Sequence, residues 1–297
     1  MTAREKGFLL LTSNLGDPNR RPLTTAQLRT LAQRVRSADR VSEDRGLDGR
    51  DLVAMGYSYE MADHIVALLD DEVLLEHYLR RGMRSGCHPL SRVGEEYPQP
   101  LRNRLGDDAP GCLWSRGDLG LLERPAVALV GSRNLASRNL EFACEVGYQA
   151  ARQGFVLVSG NARGADKAAQ ESCLRAGGDV ICVLADELER YEPHPHILYL
   201  SEDGFDMPFS AQRALSRNRV IHCLGLRTFV AQSGYQRGGT WDGTVKNLRA
   251  GWSPVYCFDD GSPAVNLLHD MGADRIGLSD LHNITSLSVR FFGLFDQ

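Results

Sequence analysis

The sequence predicts an α/β protein: a doubly wound, mostly parallel sheet with helices on both faces, accompanied by a small N-terminal all-helical domain. Three observations carry this reading. Beyond Pro125, short fully apolar runs alternate with amphipathic helical stretches, the pattern of buried parallel strands joined by helices. Two of those runs stop at loops of Gly, Ser and Arg that open onto a helix. Residues 1–85 show helical spacing without comparable strand runs.

Composition sets the frame. The chain has 297 residues, 42% hydrophobic and 24% charged, with a net charge of −4 and a pI near 6.1. These values suit a globular protein and give no global attraction to nucleic acid, so any phosphate site must be a local patch. One such patch exists: from Asp206 to Ala250, seven bases face two acids (Asp206 and Asp242). A solvated basic face accounts for such a count equally well. Seven cysteines, an odd number without a CxxC pair, read as reduced core thiols and point to a cytoplasmic chain. His194, His196 and a cysteine offer zinc-ligand chemistry but form no metal-type cluster in the sequence, so no metal and no cofactor is expected. No apolar run reaches the ~20 residues of a membrane helix, and the N-terminus lacks a signal-peptide pattern.

In residues 1–85, Thr24 or Thr25 can cap a helix with Leu28, Leu31, Ala32 and Val35 on its apolar face. Arg40 to Arg50 is polar and reads as a connector. A short helix over 51–55, Gly56, a new cap at Ser58 and a helix carrying Met61, Ile65 and Leu69 follow. Another helix through Leu75 and Leu79 is expected to end at Arg80-Arg81-Gly82. Helix, Gly turn, helix is the outline of helix-hairpin-helix DNA modules and of any small helical bundle. The second domain is expected over 86–297.

Strands are predicted over 126–131, 155–159, 180–185, 197–201, 228–232 and 254–258, and helices over 138–153, 164–176, 211–223 and 241–250. Ligands of such sheets sit at the carboxyl ends of the strands. There lie Gly131-Ser132-Arg133 after the first run, and Ser159-Gly160-Asn161-Ala162-Arg163-Gly164-Ala165-Asp166 after the second, followed by Lys167. Small residues let backbone N–H groups approach a phosphate, the helix N-terminus adds partial positive charge, and arginine adds a bidentate donor. Asp166 is expected to cap or orient its loop. Arg217-Asn218-Arg219 follows on a later helix, where the arginines either contact a ligand or anchor neighbouring loops through Asn218. A third Gly-rich segment holds Gly239 and Thr240, and Trp241 beside them serves either as a stacking platform or as a cap on the core.

In order along the chain, these pieces resemble the DprA/Smf family of DNA-processing proteins. Val127–Arg133 is similar to that family's first strand and GSR loop, Val158–Asp166 to its SG-x-A-x-G-x-D loop, Ser201-Glu202 to its SE step, and Arg217–Ile221 to its RNR-I-I helix. Ser233-Gly234, Asn266-Leu267-Leu268 and Gly272-Ala273 also match, as does the lead-in from Tyr97-Pro98 to Trp114-Ser115-Arg116-Gly117. The resemblance covers roughly residues 88–277. It implies a Rossmann-like fold and a dimeric single-stranded-DNA-binding protein that hands DNA to a RecA-type recombinase. It also implies a DNA pocket built from Arg133, Arg163 and Lys167 and bordered by Arg217 and Arg219.

Departures are visible. Gln170 stands where the family has a His, Ala185-Asp186-Glu187 replaces a Gly-containing turn, and Asp259-Asp260-Gly261 replaces a PG step. The family's winged-helix module is not matched. Divergent DprA-like chains also occur in phage defence and as antitoxins of phosphoribosyltransferase-like toxins, which gives a cognate toxin as an alternative partner. The superfamily's LOG-type relatives hydrolyse nucleotides using a Glu after a Gly-Gly-x-Gly-Thr loop. Here Gly238-Gly239-Thr240-Trp241-Asp242 offers only Asp242, so a non-catalytic binding protein is expected.

Overall fold

Chain segments 1–38, 47–202 and 204–288 are described by a computed structural model, and they divide into two compact units. The first comprises Met1–Ser115 with Glu202–Met207, the second Arg116–Ser201 with Pro208–Gln297.

The first unit is a helical bundle with a short antiparallel strand pair. Its helices are α1 (Ala3–Thr12), α2 (Thr25–Ser37), α3 (Gly49–Ala54), α4 (Tyr59–Leu69), α5 (Glu72–Arg84) and α6 (Gln99–Leu105). Thr24 caps α2 through a reciprocal box with Gln27, and Ser58 caps α4, as their side-chain chemistry requires. Gly56 makes the turn between α3 and α4 with φ at +88°. Leu28, Leu31, Leu52, Ile65 and Leu68 form the buried seam. Most of the connector expected over Arg40 to Arg50 lies outside the described residues, and its last two residues open α3.

Strands β1 (His88–Ser91) and β2 (Cys112–Arg116) pair antiparallel. The expected division after residue 85 falls inside this unit, because an aromatic cluster ties β2 to α5. Trp114 stands 5.2 Å from Tyr78 and 4.8 Å from Phe205, ring centre to ring centre. Gly82 is a contact point rather than a helix stop: a Cβ there would lie 2.6 Å from the Trp114 ring, and α5 continues to Arg84.

The second unit is the doubly wound sheet. Its strands are β3 (Ala126–Val130), β4 (Val156–Ser159), β5 (Val180–Leu184), β6 (Ile197–Glu202), β7 (Thr228–Val230), β8 (Val255–Phe258) and β9 (Asp274–Ile276). They pair in parallel in the order β6-β5-β4-β3-β7-β8-β9. The run from β5 to β9 follows the 3-2-1-4-5-6 order of Rossmann sheets, with β6 added outside β5. Every residue of β3, β4, β5, β7 and β8 is buried, which explains why these strands read as unbroken apolar runs.

The helices of this unit are α7 (Ser137–Arg152), α8 (Ala165–Arg175), α9 (Ala211–Ser216), α10 (Asn218–Leu224), α11 (Gly239–Ala250) and α12 (Pro263–Asp270). α7 and α8 cross so closely that a Cβ on Gly147 would lie 2.0 Å from the Ala169 carbonyl oxygen. Phe142 of α7 stacks on Phe258 of β8 at 4.8 Å. The helix expected over 211–223 is divided at Arg217. The seven cysteines are reduced thiols, and burial pushes Cys173 and Cys182 up to about 12, as inert core thiols require. Among the described residues no helix is long and apolar enough to cross a membrane.

Candidate nucleic-acid interface

The strand order reverses between β3 and β7, so the chain leaves these neighbours in opposite directions and opens a crevice at their carboxyl ends. The loop after β3 is held from both sides. Ser132 N–H donates to the Gln232 carbonyl (3.0 Å), and the Ser132 carbonyl accepts from Ala165 N–H (3.2 Å). Gly131 and Gly164 allow this contact. A Cβ on Gly131 would lie 2.4 Å from the Ala165 methyl, and one on Gly164, at φ +89°, would lie 2.5 Å from the Ser132 oxygen.

The loop after β4 is organised by Asp166. Its Oδ2 accepts from the N–H groups of Gly160 (3.1 Å) and Ala162 (3.2 Å), the orienting role expected for it. Ser159 is buried and accepts from Gln170 Nε2, so the glutamine at this departure from the family pattern braces the strand end. Arg217 reaches the same loop from between α9 and α10. Its Nη2 donates to the Gly160 carbonyl at 3.0 Å and lies 3.9 Å from Asp166 Oδ2. Burial pushes the Asp166 carboxyl up while Arg217 opposes it, and burial pulls the Arg217 guanidinium down while Asp166 opposes it.

Beside these groups lies a cleft of about 420 Å³ at the ends of β4 and β5. Of the sequence-predicted residues, Arg133, Gly160, Arg163 and Arg217 line it. Arg133 and Arg163 are exposed, and Arg163 Nη2 donates to Asn134 Oδ1 at 2.8 Å. Gly131, Ser132, Ser159 and Gly164 shape the loops behind it. Lys167 is exposed on the first turn of α8. Asn218, Arg219, Gly239 and Thr240 are not among the lining residues. Asn218 Nδ2 instead donates to the Gly239 carbonyl at 3.1 Å and fastens α10 to the start of α11.

Asn161 of the second loop also lines the cleft, and three further lining residues belong to no motif: Asp186, Tyr191 and Phe209. Tyr191 donates to Asp186 Oδ2 at 2.9 Å, and burial followed by that carboxylate pushes the phenol up. Phe209 is 57% exposed. The replaced turn at Ala185-Asp186-Glu187 was the one signal in the sequence pointing here.

Two other candidates fall elsewhere. Asp242 Oδ2 is 2.8 Å from Lys246 Nζ, one turn along α11, and does not line the cleft. His196 Nδ1 pairs with Asp179 Oδ1 at 2.8 Å, and no group of three ligating side chains is placed for a metal among the described residues.

Residues 89–276 match the family model described as DNA recombination-mediator protein A. The chain is 33% identical over 141 residues to the DNA processing protein DprA of Streptococcus pneumoniae, covering 44% of this chain and 50% of that protein. It is 30% identical over 165 residues to the protein Smf of Escherichia coli, covering 51% and 43% respectively. The chain thus spans about half the length of the curated relatives it matches. In three dimensions it superposes on the crystal structure of Streptococcus pneumoniae DprA with a TM-score of 0.71, at 24% identity, over 97% of this chain and 99% of that one. The Helicobacter pylori DNA processing protein A, described for its single-stranded DNA binding mode, superposes with a TM-score of 0.55 at 22% identity, over 66% and 94%. The interlocked loops after β3 and β4, the doubly wound strand order and a family match across most of the sequence converge: the chain belongs to the DprA/Smf family of DNA-processing proteins.

Proposed function

We propose that this chain binds single-stranded DNA at the cleft beside β4 and β5, acts in DNA processing without catalysis, and works as a homodimer that delivers the strand to a RecA-type recombinase. The observation that carries the reading is the meeting of three arginines from three separate segments, Arg133, Arg163 and Arg217, with Tyr191 and Phe209 around one cleft. Arginines suit backbone phosphates, and aromatic rings suit unstacked bases, each stacked base being worth ~1–3 kcal/mol. Lys167, exposed on α8, extends the basic edge. A duplex keeps its bases stacked and offers such rings nothing. The family description as a recombination mediator supports the recombinase as partner. The antitoxin and nucleotide-hydrolase alternatives have no comparable feature in their favour, and Asp242 is occupied by Lys246.

Fluorescence anisotropy with a labelled single strand and its duplex tests the proposal. The single strand is expected to bind more tightly, with affinity falling steeply with salt. Arg133→Ala is expected to cost about 1.5–3 kcal/mol, the range for a hydrogen bond to a charged group. Binding unchanged by Arg133→Ala combined with Arg163→Ala would remove the site assignment. Sedimentation with and without DNA tests the dimer.

A further inference from the structure

We infer that Asp186, braced by Tyr191, makes this cleft select guanine among the bases of the bound strand. The inference rests on the reading of the cleft as a single-stranded nucleic-acid site. The exposed Arg133 and Arg163, with the buried charge of Arg217 behind them, suit phosphate, and a carboxylate among them repels it. Yet Asp186 lines the same cleft as Arg133, Arg163 and Arg217. It therefore suits a part of the ligand that donates hydrogen bonds.

The carboxylate is held in a fixed orientation. Tyr191 donates to Oδ2 at 2.9 Å, and the Tyr191 ring packs on Tyr199 with 5.1 Å between centres. No ion pair engages Asp186 among the described residues. An ionised carboxylate only accepts, and each oxygen has more than one lone-pair site, so both oxygens remain open to a ligand after the Tyr191 bond. Guanine presents N1–H and N2–H side by side, matching two carboxylate oxygens. Cytosine and adenine each offer an amine flanked by an acceptor. Thymine offers one N–H between two carbonyl oxygens, which a carboxylate repels. The exposed Phe209 ring on the same cleft favours a purine further, since its larger face gives more stacking area.

The experiment compares thymine oligomers with the same oligomers carrying isolated guanines, or inosines at those positions, by anisotropy on the full chain. Guanine-bearing strands are expected to bind about tenfold more tightly than pure thymine strands, the scale of one bidentate base contact. Inosine, which lacks the N2 amine, should fall between. Asp186→Asn should remove the guanine preference from both sides, weakening guanine-strand binding through loss of the bidentate acceptor and strengthening thymine-strand binding through loss of the repelling charge. Tyr191→Phe, which removes the brace and keeps the ring, should weaken the preference.

Equal affinity for guanine and thymine strands, with binding still lost in Arg133→Ala, overturns the base selectivity and leaves the DNA reading standing. A preference that persists in Asp186→Asn, or that follows a ribose in place of deoxyribose irrespective of base, also overturns it and makes Asp186 a structural brace or a sugar contact. Failure of every strand to bind overturns both readings.

Discussion

Arg217 rests directly on Gly160: its Nη2 donates to the Gly160 carbonyl at 3.0 Å, and a Cβ on Gly160 would lie 1.5 Å from its Nη1. The glycine of the second loop is thus required by an arginine 57 positions away in sequence as well as by any approaching phosphate. Gly160→Ala must displace the guanidinium or the loop. The expected cost is about 1–3 kcal/mol, the usual range for overpacking, together with weaker DNA binding. Gly7→Ala in α1, where a Cβ meets nothing within 4 Å, is the control and should be neutral or slightly stabilising. Denaturant unfolding of both variants checks this.

Asp166 and Arg217 are both buried, and each lowers the cost of the other's charge. Removing one partner leaves the other uncompensated. Asp166→Asn or Arg217→Met alone is expected to destabilise by about 3–5 kcal/mol, the range for a broken buried pair. The double variant should lose less than the sum of the two. A double-mutant cycle from urea unfolding measures the coupling, and strict additivity would show that Asp166 acts only through the N–H groups of Gly160 and Ala162.

The sheet was legible because its central strands are buried on both faces and their sequences are correspondingly apolar throughout. β9 was not: two of its three residues, Asp274 and Arg275, are not buried, and so short a polar strand carries no period. The division at Arg217 was hidden because its backbone is itself right-handed helical, at φ −65° and ψ −16°, so the apolar spacing runs on across it. Gly82 read as a stop because a sequence shows no Trp114 lying against it. The loops after β3 and β4 were readable as local motifs. Asp186, Tyr191 and Phe209 belong to no motif, and only folding brings them to the arginines.

His222 gives a pH prediction. It is fully buried, with Nδ1 3.2 Å from both Asn247 Nδ2 and Thr228 Oγ1. Asn247 Oδ1 accepts from Ser253 N–H, which fixes the amide so that its Nδ2 donates to Nδ1, and the ring proton therefore resides on Nε2. Burial, aided by the charge of Arg217, lowers the imidazole to about 3. In the unfolded chain it titrates near ~6.5. Between these values the unfolded state binds a proton that the folded state refuses, so this group's contribution to stability falls as pH drops from ~6.5 towards 3 and levels off below. The slope approaches ~1.4 kcal/mol per pH unit. His222→Gln should flatten it, read from urea unfolding over a series of pH values.

The last prediction separates binding from hydrolysis. Asp242 is the carboxylate closest in sequence to the place where nucleotide-hydrolysing relatives carry a glutamate, and it is spent on Lys246 at 2.8 Å, one turn along α11. Both side chains of the pair are largely exposed, so the bond is worth only ~0.2–0.5 kcal/mol. Glycosidic cleavage needs an acid or base within hydrogen-bond reach of the departing base. Among the cleft's lining residues the carboxylate is Asp186, which accepts one hydrogen bond from Tyr191. Asp242→Asn should therefore leave DNA affinity unchanged within about twofold and melting nearly so. Chromatography of nucleoside monophosphates incubated with the wild-type chain should show no free base. Base release that Asp242→Asn abolishes would transfer the chemistry to α11, and release that Asp186→Asn abolishes would make the cleft catalytic. Because the two carboxylates stand on different elements, the two variants identify which one acts.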